Sequence, residues 1–200
     1  MPLSLPYNIH QISETVWRHK PKSIVDVGCG FGKYGVIFRE YLDVMECRLK
    51  KKDWQYRIDA VEVFKDYITP IHQHVYNNIY IGDITKGYPW PADVQYEMMF
   101  LGDVIEHFTL ADAITVIDNF KGKWILISTP IAKCASINCN DKFVRRLGNK
   151  HEQHVYEWLE EDFHSLKNWA VKWMRGTDCF FNFKNRKKRS TMRTVFLERR

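Results

Sequence analysis

Two short segments of the 200-residue sequence combine carboxylates with histidines, side chains that carry much acid–base and metal chemistry. In the first segment, Asp103–Phe108, Glu106 and His107 are adjacent. The second, His151–Trp158, contains His154. Because the pKa of histidine lies near neutrality, His107 could take a proton from an attacking hydroxyl. Alternatively, the carboxylates and imidazoles could hold a divalent cation. In a third interpretation both histidines are structural, and residue types alone leave all three open.

A cluster of glycines follows an apolar run that we predict to be a buried strand. Gly28, Gly30 and Gly32 come directly after Ser23–Val27. Glycines allow a tight turn and let a ligand approach the backbone closely. The pattern alone is weak, because any tight strand-to-helix turn can show it. The dinucleotide fingerprint fits less well, since its third glycine comes one residue later and Gly35 does not restore the spacing.

Acidic residues end the next three predicted strands. Glu62 lies one helix and one strand beyond Gly32, and Asp83 and Asp103 end the two strands that follow. Each acid alone could be a surface residue or a helix cap. Ligands of open α/β sheets bind at the carboxyl ends of strands, so three acids at successive strand ends point to one site. Glu62 could accept hydrogen bonds from both ribose hydroxyls, and Asp83 could accept one from an adenine amino group.

The elements that position these residues alternate between strands and helices, which predicts a parallel sheet. Beyond that alternation, Ala170–Met174 and Thr194–Glu198 are predicted to pair antiparallel, joined by a basic loop. The fold is therefore predicted to be α/β, a Rossmann-like, seven-stranded, mostly parallel sheet with helices on both faces and an antiparallel last strand. The other predicted strands are Ser23–Val27, Tyr56–Val61, Asn78–Ile81, Glu97–Leu101 and Trp124–Ser128, and the predicted helices are Asn8–His19, Lys33–Leu42, Phe64–His74, Leu110–Phe120 and Trp158–Leu166.

This arrangement resembles the class I S-adenosylmethionine (SAM)-dependent methyltransferases over about Ser23–Pro130. The resemblance implies that SAM is the cofactor and that the glycine loop passes close to its methionine part. It also implies that Glu62 holds the ribose and that Asp83, with the backbone of Ile84, contacts the adenine. The full cofactor-binding set that it implies is Asp26, which would support the loop, with Gly28, Gly30, Gly32, Glu62, Asp83, Ile84 and Asp103.

A second resemblance concerns the chemistry. The pairing of Asp-x-x-Glu-His with a downstream His-x-aromatic-Glu-Trp is similar to the metal-binding set of the small-RNA 3′-terminal 2′-O-methyltransferases. It implies Glu106, His107 and His154 as ligands of a divalent metal, with Asp103 where that family usually has a glutamate. Magnesium, manganese, zinc and iron all stay open. The Glu-His pair also resembles quinone-biosynthesis O-methyltransferases, in which no metal is implied.

Three functions follow from these resemblances. The first is SAM-dependent O-methylation of a small hydroxylated metabolite or sugar-like substrate, with His107 as base and Glu106 beside it in the catalytic pair. The second is metal-assisted 2′-O-methylation of RNA ribose. The third is a SAM-binding partner protein without catalysis. The acceptor atom and the oligomeric state stay open.

Composition limits the remaining possibilities. With 45% hydrophobic residues, the chain suits a single domain, divided into an N-terminal helix at 1–22, a cofactor core at 23–130 and a substrate-side segment at 131–200. The net charge of +6 is partly concentrated in Lys184–Arg189, which could meet RNA phosphates or be a solvated loop. The five cysteines match no common zinc pattern. Since no apolar run could cross a bilayer and no signal peptide is visible, we expect a cytoplasmic protein with no membrane partner.

Overall fold

A seven-stranded sheet forms the centre of the protein. The computed structural model describes the backbone of residues 6–131, 149–183 and 186–200, and the side chains of these except residues 150 and 177–191. Apolar, mostly β-branched or aromatic residues make up the central strands, which are buried on both faces. The strands are β1 (Ser23–Val27), β2 (Arg57–Glu62), β3 (Ile79–Ile81), β4 (Met98–Gly102), β5 (Trp124–Pro130), β6 (Trp169–Phe183) and β7 (Arg186–Arg199).

The order across the sheet is β3-β2-β1-β4-β5-β7-β6. The first five strands run parallel. β7 lies antiparallel between β5 and β6. The sheet therefore reverses its strand order at β1 and β4, which is the point where α/β sheets place their ligands. The predicted fold class, including the antiparallel last strand, is confirmed.

Helices cover both faces of the sheet. They are α1 (Ile9–His19), α2 (Lys33–Leu42), α3 (Pro70–Val75), α4 (Leu110–Asn119) and α5 (Glu160–His164). Side chains from α1, α2 and α3 join one apolar core, exemplified by Val16, Phe38 and Val75. Side chains from α4 and α5, such as Ile117 and Phe163, join the core on the opposite face.

Two predicted helices are shorter than expected. The prediction of Phe64–His74 is wrong in its first half, where Lys65–Tyr67 forms a single 3-10 turn and the α-helix begins at Pro70. Proline has no N–H and disfavours a helical residue before it, so Pro70 can begin a helix but not continue one. The helix predicted over Trp158–Leu166 is limited to α5, with Trp158 in the chain before it.

The predicted basic loop is wrong in part. From Arg186 onwards the backbone belongs to β7, and Arg186–Arg189 pairs with residues 180–183 of β6. Residues 184 and 185 lie outside the described residues. Pairing between β5 and β7 ends at Pro130 and Met192, so β6 and β7 continue past the carboxyl end of β5 as a two-stranded ribbon. None of the helices in the described part of the chain has the length and apolar character of a membrane span.

Candidate active site

A cleft lies at the carboxyl edge of the parallel strands, where the predicted site residues meet. The cleft has two walls. The cofactor wall consists of the glycine loop 28–32 with the ends of β2 and β3. The acceptor wall consists of residues 103–109 after β4 and of segment 149–158. Among the predicted residues, Gly28, Gly30, Glu62, Asp83, Ile84, Asp103 and His107 line the cleft.

The glycine loop turns sharply between β1 and α2. Gly28 has φ of +67°, and a Cβ atom there would lie 2.5 Å from Val104. Its N–H donates to the carbonyl of Val61 across 2.8 Å. A side chain at position 28 is therefore excluded both by backbone conformation and by space.

Glu62 is almost completely buried at the end of β2. Its two carboxylate oxygens accept hydrogen bonds from the backbone N–H groups of Gly30 and Phe64, each at 3.0 Å. Burial raises the pKa of Glu62, whereas these hydrogen bonds act in the opposite direction. Glu62 therefore holds the glycine loop as well as facing the cleft.

Asp83 lies at the end of β3 and caps a 3-10 turn over Ile84–Lys86. Its Oδ1 atom accepts from the backbone N–H and the hydroxyl of Thr85, at 3.0 and 2.6 Å. The capping role weighed for such an acid therefore applies, while Asp83 still lines the cleft. Ile84 is buried beside it, so an apolar side chain and a carboxylate meet where a heterocyclic ring could lie.

Asp103 leaves β4 in the left-handed region, with φ of +56°, which is uncommon for any residue but glycine. Its N–H donates to the carbonyl of Ser128 at 2.7 Å, and its carboxylate accepts from the Ser128 hydroxyl at 3.1 Å. Aspartate tolerates this conformation better than most side chains. The bend turns Asp103 into the cleft.

Asp26 lies behind the cofactor wall rather than in the cleft. It is 1% exposed and accepts a hydrogen bond of 2.5 Å from the hydroxyl of Tyr76. Burial raises the pKa of Asp26 to about 7. Among the described side-chain hydrogen bonds, Asp26 is therefore joined to Tyr76, at the end of α3, rather than to the glycine loop.

Glu106, His107 and His154 form a compact cluster in the acceptor wall. One ligand atom of each lies within 4.8 Å of the others. Glu106 is buried and accepts from the hydroxyl of Thr129 at 3.1 Å. Burial, together with the charge of nearby Asp103, raises the pKa of Glu106 well above its usual range. A buried carboxylate beside two imidazoles fits a divalent cation, while Asp103 is not among the residues of this cluster.

The neutral ring of His107 has a defined tautomer. Nδ1 lies 3.0 Å from the carbonyl oxygen of Gln153, which can only accept, so Nδ1 donates and the lone pair of the neutral ring is on Nε2. Burial lowers the pKa of His107 to about 4. The ring is therefore neutral at pH 7 and able to accept a proton or bind a cation, although a pKa this low also makes it a weak base.

Segment 149–158 is attached to the residues after β4 by several hydrogen bonds. The N–H groups of Val155 and Tyr156 both donate to the carbonyl of Glu106, at 2.8 and 3.2 Å. The indole N–H of Trp158, which is fully buried, donates to the carbonyl of Ile105 at 3.1 Å. These contacts bring His154 within a T-shaped ring contact of His107, with centroids 4.9 Å apart.

Sequence reasoning missed several residues of the cleft. Lys33 follows Gly32 directly and is the one lysine or arginine among the described residues that line the cleft. Its position beside the glycine loop was a usable signal. Tyr67 donates to Glu152 at 2.8 Å and accepts from Asn149 at 3.1 Å. These partners are more than 80 residues from Tyr67 along the chain, so no local pattern could have indicated them.

One assignment outside the cleft was wrong. His72 and His74 alternate within the predicted helix Phe64–His74, where side chains two residues apart point in different directions, and this pattern predicts two surface histidines. His74 is exposed, but His72 is completely buried, and its Nε2 lies 2.9 Å from the carbonyl oxygen of Gly30. Trp90, which could stack on a base or ring of a ligand if it were free, instead stacks on Tyr88 at 4.4 Å and packs against the core.

Comparisons with known proteins bear on the fold of the chain. No family model and no curated protein matches the sequence. Among solved structures, the MccD protein has a TM-score of 0.61 and 8% identity, over 94% of this chain and 96% of that one. An O-methyltransferase family protein from Burkholderia thailandensis has a TM-score of 0.54 and 12% identity, over 94% of this chain and 54% of that one. An rRNA methylase from Escherichia coli has a TM-score of 0.52 and 9% identity, over 96% of this chain and 64% of that one.

The chain has the fold of class I SAM-dependent methyltransferases. The methyltransferase fold thus covers the described part of the chain, from α1 to β7. The chain spans 54% of the O-methyltransferase family protein, 64% of the rRNA methylase and 96% of MccD. SAM is the cofactor of methyltransferases with this fold.

Proposed function

We propose that this protein is a SAM-dependent methyltransferase. The observation that carries the proposal is the charge of the cleft. Its described lining contains five carboxylates against one lysine, Lys33. SAM brings two positive groups, the sulfonium and the ammonium, and a single carboxylate. A dinucleotide would instead bring negatively charged phosphates into an acidic cleft, where they would be repelled. The five acids are Glu62, Asp83, Asp103, Asp112 and Glu152.

Different residues of the cleft contact different parts of the cofactor in this proposal. Glu62 receives the ribose hydroxyls, as strand-end acids of this fold class do. Asp83 and Ile84 receive the adenine, through a carboxylate and an apolar contact. Lys33 pairs with the methionine carboxylate, and Asp103 lies where it can attract the ammonium or sulfonium. Burial lowers the pKa of Lys33, but the carboxylates of Asp103 and Asp26 counteract this effect.

Binding is tested by calorimetry with SAM and with its product S-adenosylhomocysteine. We expect saturable binding of both to the wild-type protein. Asp83→Asn should weaken both ligands about tenfold, because a charge-assisted hydrogen bond is worth about 1.5–3 kcal/mol. Asp93→Asn is the matched control, since Asp93 is exposed and outside the cleft. A wild-type protein that binds neither ligand would refute the proposal.

For the reaction itself, we propose O-methylation of a small hydroxylated or sugar-like acceptor. The cleft holds the hydroxyl in line with the sulfonium methyl, so positioning and removal of water supply most of the rate. Nε2 of His107 accepts the hydroxyl proton as the oxygen–carbon bond forms and the carbon–sulfur bond breaks. Glu106, which is buried behind His107 in the same turn, stays in the protein interior and does not contact solvent. Transfer of a labelled methyl group from SAM to a panel of hydroxylated compounds is the test.

A second candidate is metal-assisted methylation of an RNA ribose, and the compactness of the Glu106–His107–His154 cluster favours it. These three residues would hold the ion, and neutral imidazoles are the form that metals bind. A divalent ion held there would lower the pKa of the attacking hydroxyl. The rate of methyl transfer by the variant His154→Ala distinguishes the two candidates. As a metal-free base, His107 needs only its own ring, and the rate should stay within about threefold. In the metal-assisted reaction, the loss of a ligand should reduce it at least about 100-fold.

The ribbon of β6 and β7 provides the RNA candidate with a second test. Its basic residues 186–189 lie past the end of β5, on the same edge of the sheet as the cleft. If they contact phosphates, RNA affinity falls steeply as the salt concentration rises. Replacing all four by glutamine then makes the affinity depend less on salt. No RNA binding at low salt would exclude this candidate. A charge-matched control replaces four exposed lysines elsewhere, Lys50, Lys52, Lys65 and Lys86.

The third candidate, a SAM-binding partner protein, makes a different prediction. It binds SAM with the same dependence on Asp83, but transfers no methyl group to any acceptor class. Mass spectrometry after incubation of the protein and SAM with metabolite and RNA pools would distinguish it from both enzymes.

A further inference from the structure

His72 connects α3 to the back of the glycine loop. Its ring is fully buried, although histidine is not usually a core residue. Nδ1 lies 3.1 Å from the backbone nitrogen of Thr69, and Nε2 lies 2.9 Å from the carbonyl oxygen of Gly30. Gly30 is 42 residues away along the chain. The ring therefore bridges two segments that share no secondary structure.

The two contacts determine the tautomer of the ring. The N–H of Thr69 can only donate, so Nδ1 of His72 accepts from it. The carbonyl of Gly30 can only accept, so Nε2 carries the proton and donates. With the proton on Nε2, the neutral ring satisfies both the N–H of Thr69 and the carbonyl of Gly30. With the proton on Nδ1 it would lose both of these contacts and could bond only to the hydroxyl of Thr69, 3.0 Å from Nδ1.

Gly30 is consequently held on both sides. Its N–H donates to Glu62 at 3.0 Å, from the side of the cleft, while its carbonyl accepts from His72 behind the loop. The residue has φ of +53°, a conformation that a free loop leaves readily. The ring of His72 also packs on the next turn, because a Cβ at Gly32 would lie 3.3 Å from Nε2.

We infer that His72 is a positioning residue, which keeps the loop 28–32 in the conformation that receives the amino-acid part of SAM. The inference rests on the proposed function. Gly30 lines the cleft, whereas His72 does not and acts through the loop. When a loop is in the binding conformation only part of the time, the apparent affinity falls by that fraction. Loss of the His72–Gly30 hydrogen bond should therefore weaken only the ligands that contact the loop.

Two conservative variants separate this role from simple helix capping. In His72→Gln, the side-chain amide nitrogen can take the place of Nε2 and donate to Gly30. In His72→Asn, the side-chain oxygen can take the place of Nδ1 and accept from Thr69, but the side chain is too short to reach Gly30. His74→Gln, on the exposed side of the same helix, is the control.

Each protein is titrated with SAM and with 5′-methylthioadenosine, which keeps the adenosine but lacks the amino-acid part. For His72→Asn we expect SAM binding about five- to tenfold weaker, as one net hydrogen bond implies. Binding of 5′-methylthioadenosine should stay within about twofold, which also shows that the variant is folded. His72→Gln and His74→Gln should bind SAM nearly as the wild type does. Hydrogen exchange at the Gly30 amide should be faster in His72→Asn alone.

Three outcomes would overturn the inference. They are an unchanged SAM affinity in His72→Asn, an equal loss for both ligands, and a weaker SAM affinity in His72→Gln than in His72→Asn. The last would mean that capping of α3 matters and the contact with Gly30 does not. Failure of the proposed function looks different, because the wild-type protein would then bind neither SAM nor 5′-methylthioadenosine.

Discussion

The two walls of the cleft are held together by different kinds of contact. In the cofactor wall, neighbouring parallel strands end side by side, and the loop after β1 bonds directly to the end of β2 through Gly28, Gly30 and Glu62. In the acceptor wall, two irregular segments pack on each other, joined by contacts such as Trp158 with Ile105, 53 residues apart. The comparison teaches that sheet topology builds the cofactor wall, whereas backbone hydrogen bonds and side-chain packing between two distant irregular segments build the acceptor wall.

The acceptor wall should therefore be the more sensitive to the loss of one buried side chain. Trp158→Ala removes a fully buried indole that stacks on Phe163 at 4.8 Å and bonds to Ile105. We expect the free energy of unfolding in urea to fall by about 3–5 kcal/mol. Trp17→Ala, at a side chain that is 43% exposed, should cost less than about 1 kcal/mol. Equal effects of the two substitutions would contradict the packing argument.

Behind the cofactor wall, Asp26 should make stability depend on pH. Its pKa is raised from 3.8 in the unfolded chain to about 7 by burial. Below pH 7 the folded state therefore binds a proton that the unfolded state does not. Stability gained from Asp26 rises as pH falls from about 7 to about 4, by up to about 4 kcal/mol. Asp26→Asn, which can still accept from Tyr76, should lose this contribution. Urea unfolding of both proteins at pH 8 and pH 5 measures it, and an identical pH dependence would disprove it.

At the cofactor wall itself, Glu62→Gln should act mainly on binding. The amide offers one acceptor oxygen where the carboxylate offers two, and it places an NH₂ group near the N–H of Gly30 or of Phe64. We expect SAM affinity to fall about 30-fold, or about 2 kcal/mol. Glu40→Gln, at an exposed site on α2, should leave calorimetric titrations unchanged. A Glu62 variant with wild-type affinity would remove this carboxylate from the proposed site.

The smallest expected effect concerns Lys33. Lys33→Gln should weaken the binding of SAM about tenfold, since a partly buried charged pair contributes about 1.5 kcal/mol to binding. It should leave decarboxylated SAM unaffected, because that compound differs only in the missing carboxylate. Lys65→Gln, an exposed lysine, is the control in the same calorimetric assay. Parallel losses for both compounds would assign Lys33 a structural role.

What could be predicted follows the same division. The parallel sheet and the cleft at its carboxyl edge follow from alternating strands and helices, because parallel strands bring their ends to one edge. Glu62, Asp83 and Asp103 could be placed there without coordinates. His72 could not, since its helix position indicates an exposed side chain and only the packing of α3 on the loop buries it. The continuation of β7 through residues 186–189 was missed because basic residues are typical of loops.

The sequence by itself determined the glycine loop and the acids at the strand ends, because each depends on a residue's place in a local strand–turn pattern. Only the tertiary structure decided which groups hold that loop and which contacts bring His154 to His107, a pairing that the resemblance had already implied. His72 and Tyr67 reach partners 42 or more residues away, and His107 meets His154 because segment 149–158 packs on Ile105 and Glu106. Such pairings depend on how buried surfaces pack together, and this packing cannot be inferred from the spacing of residues along the chain.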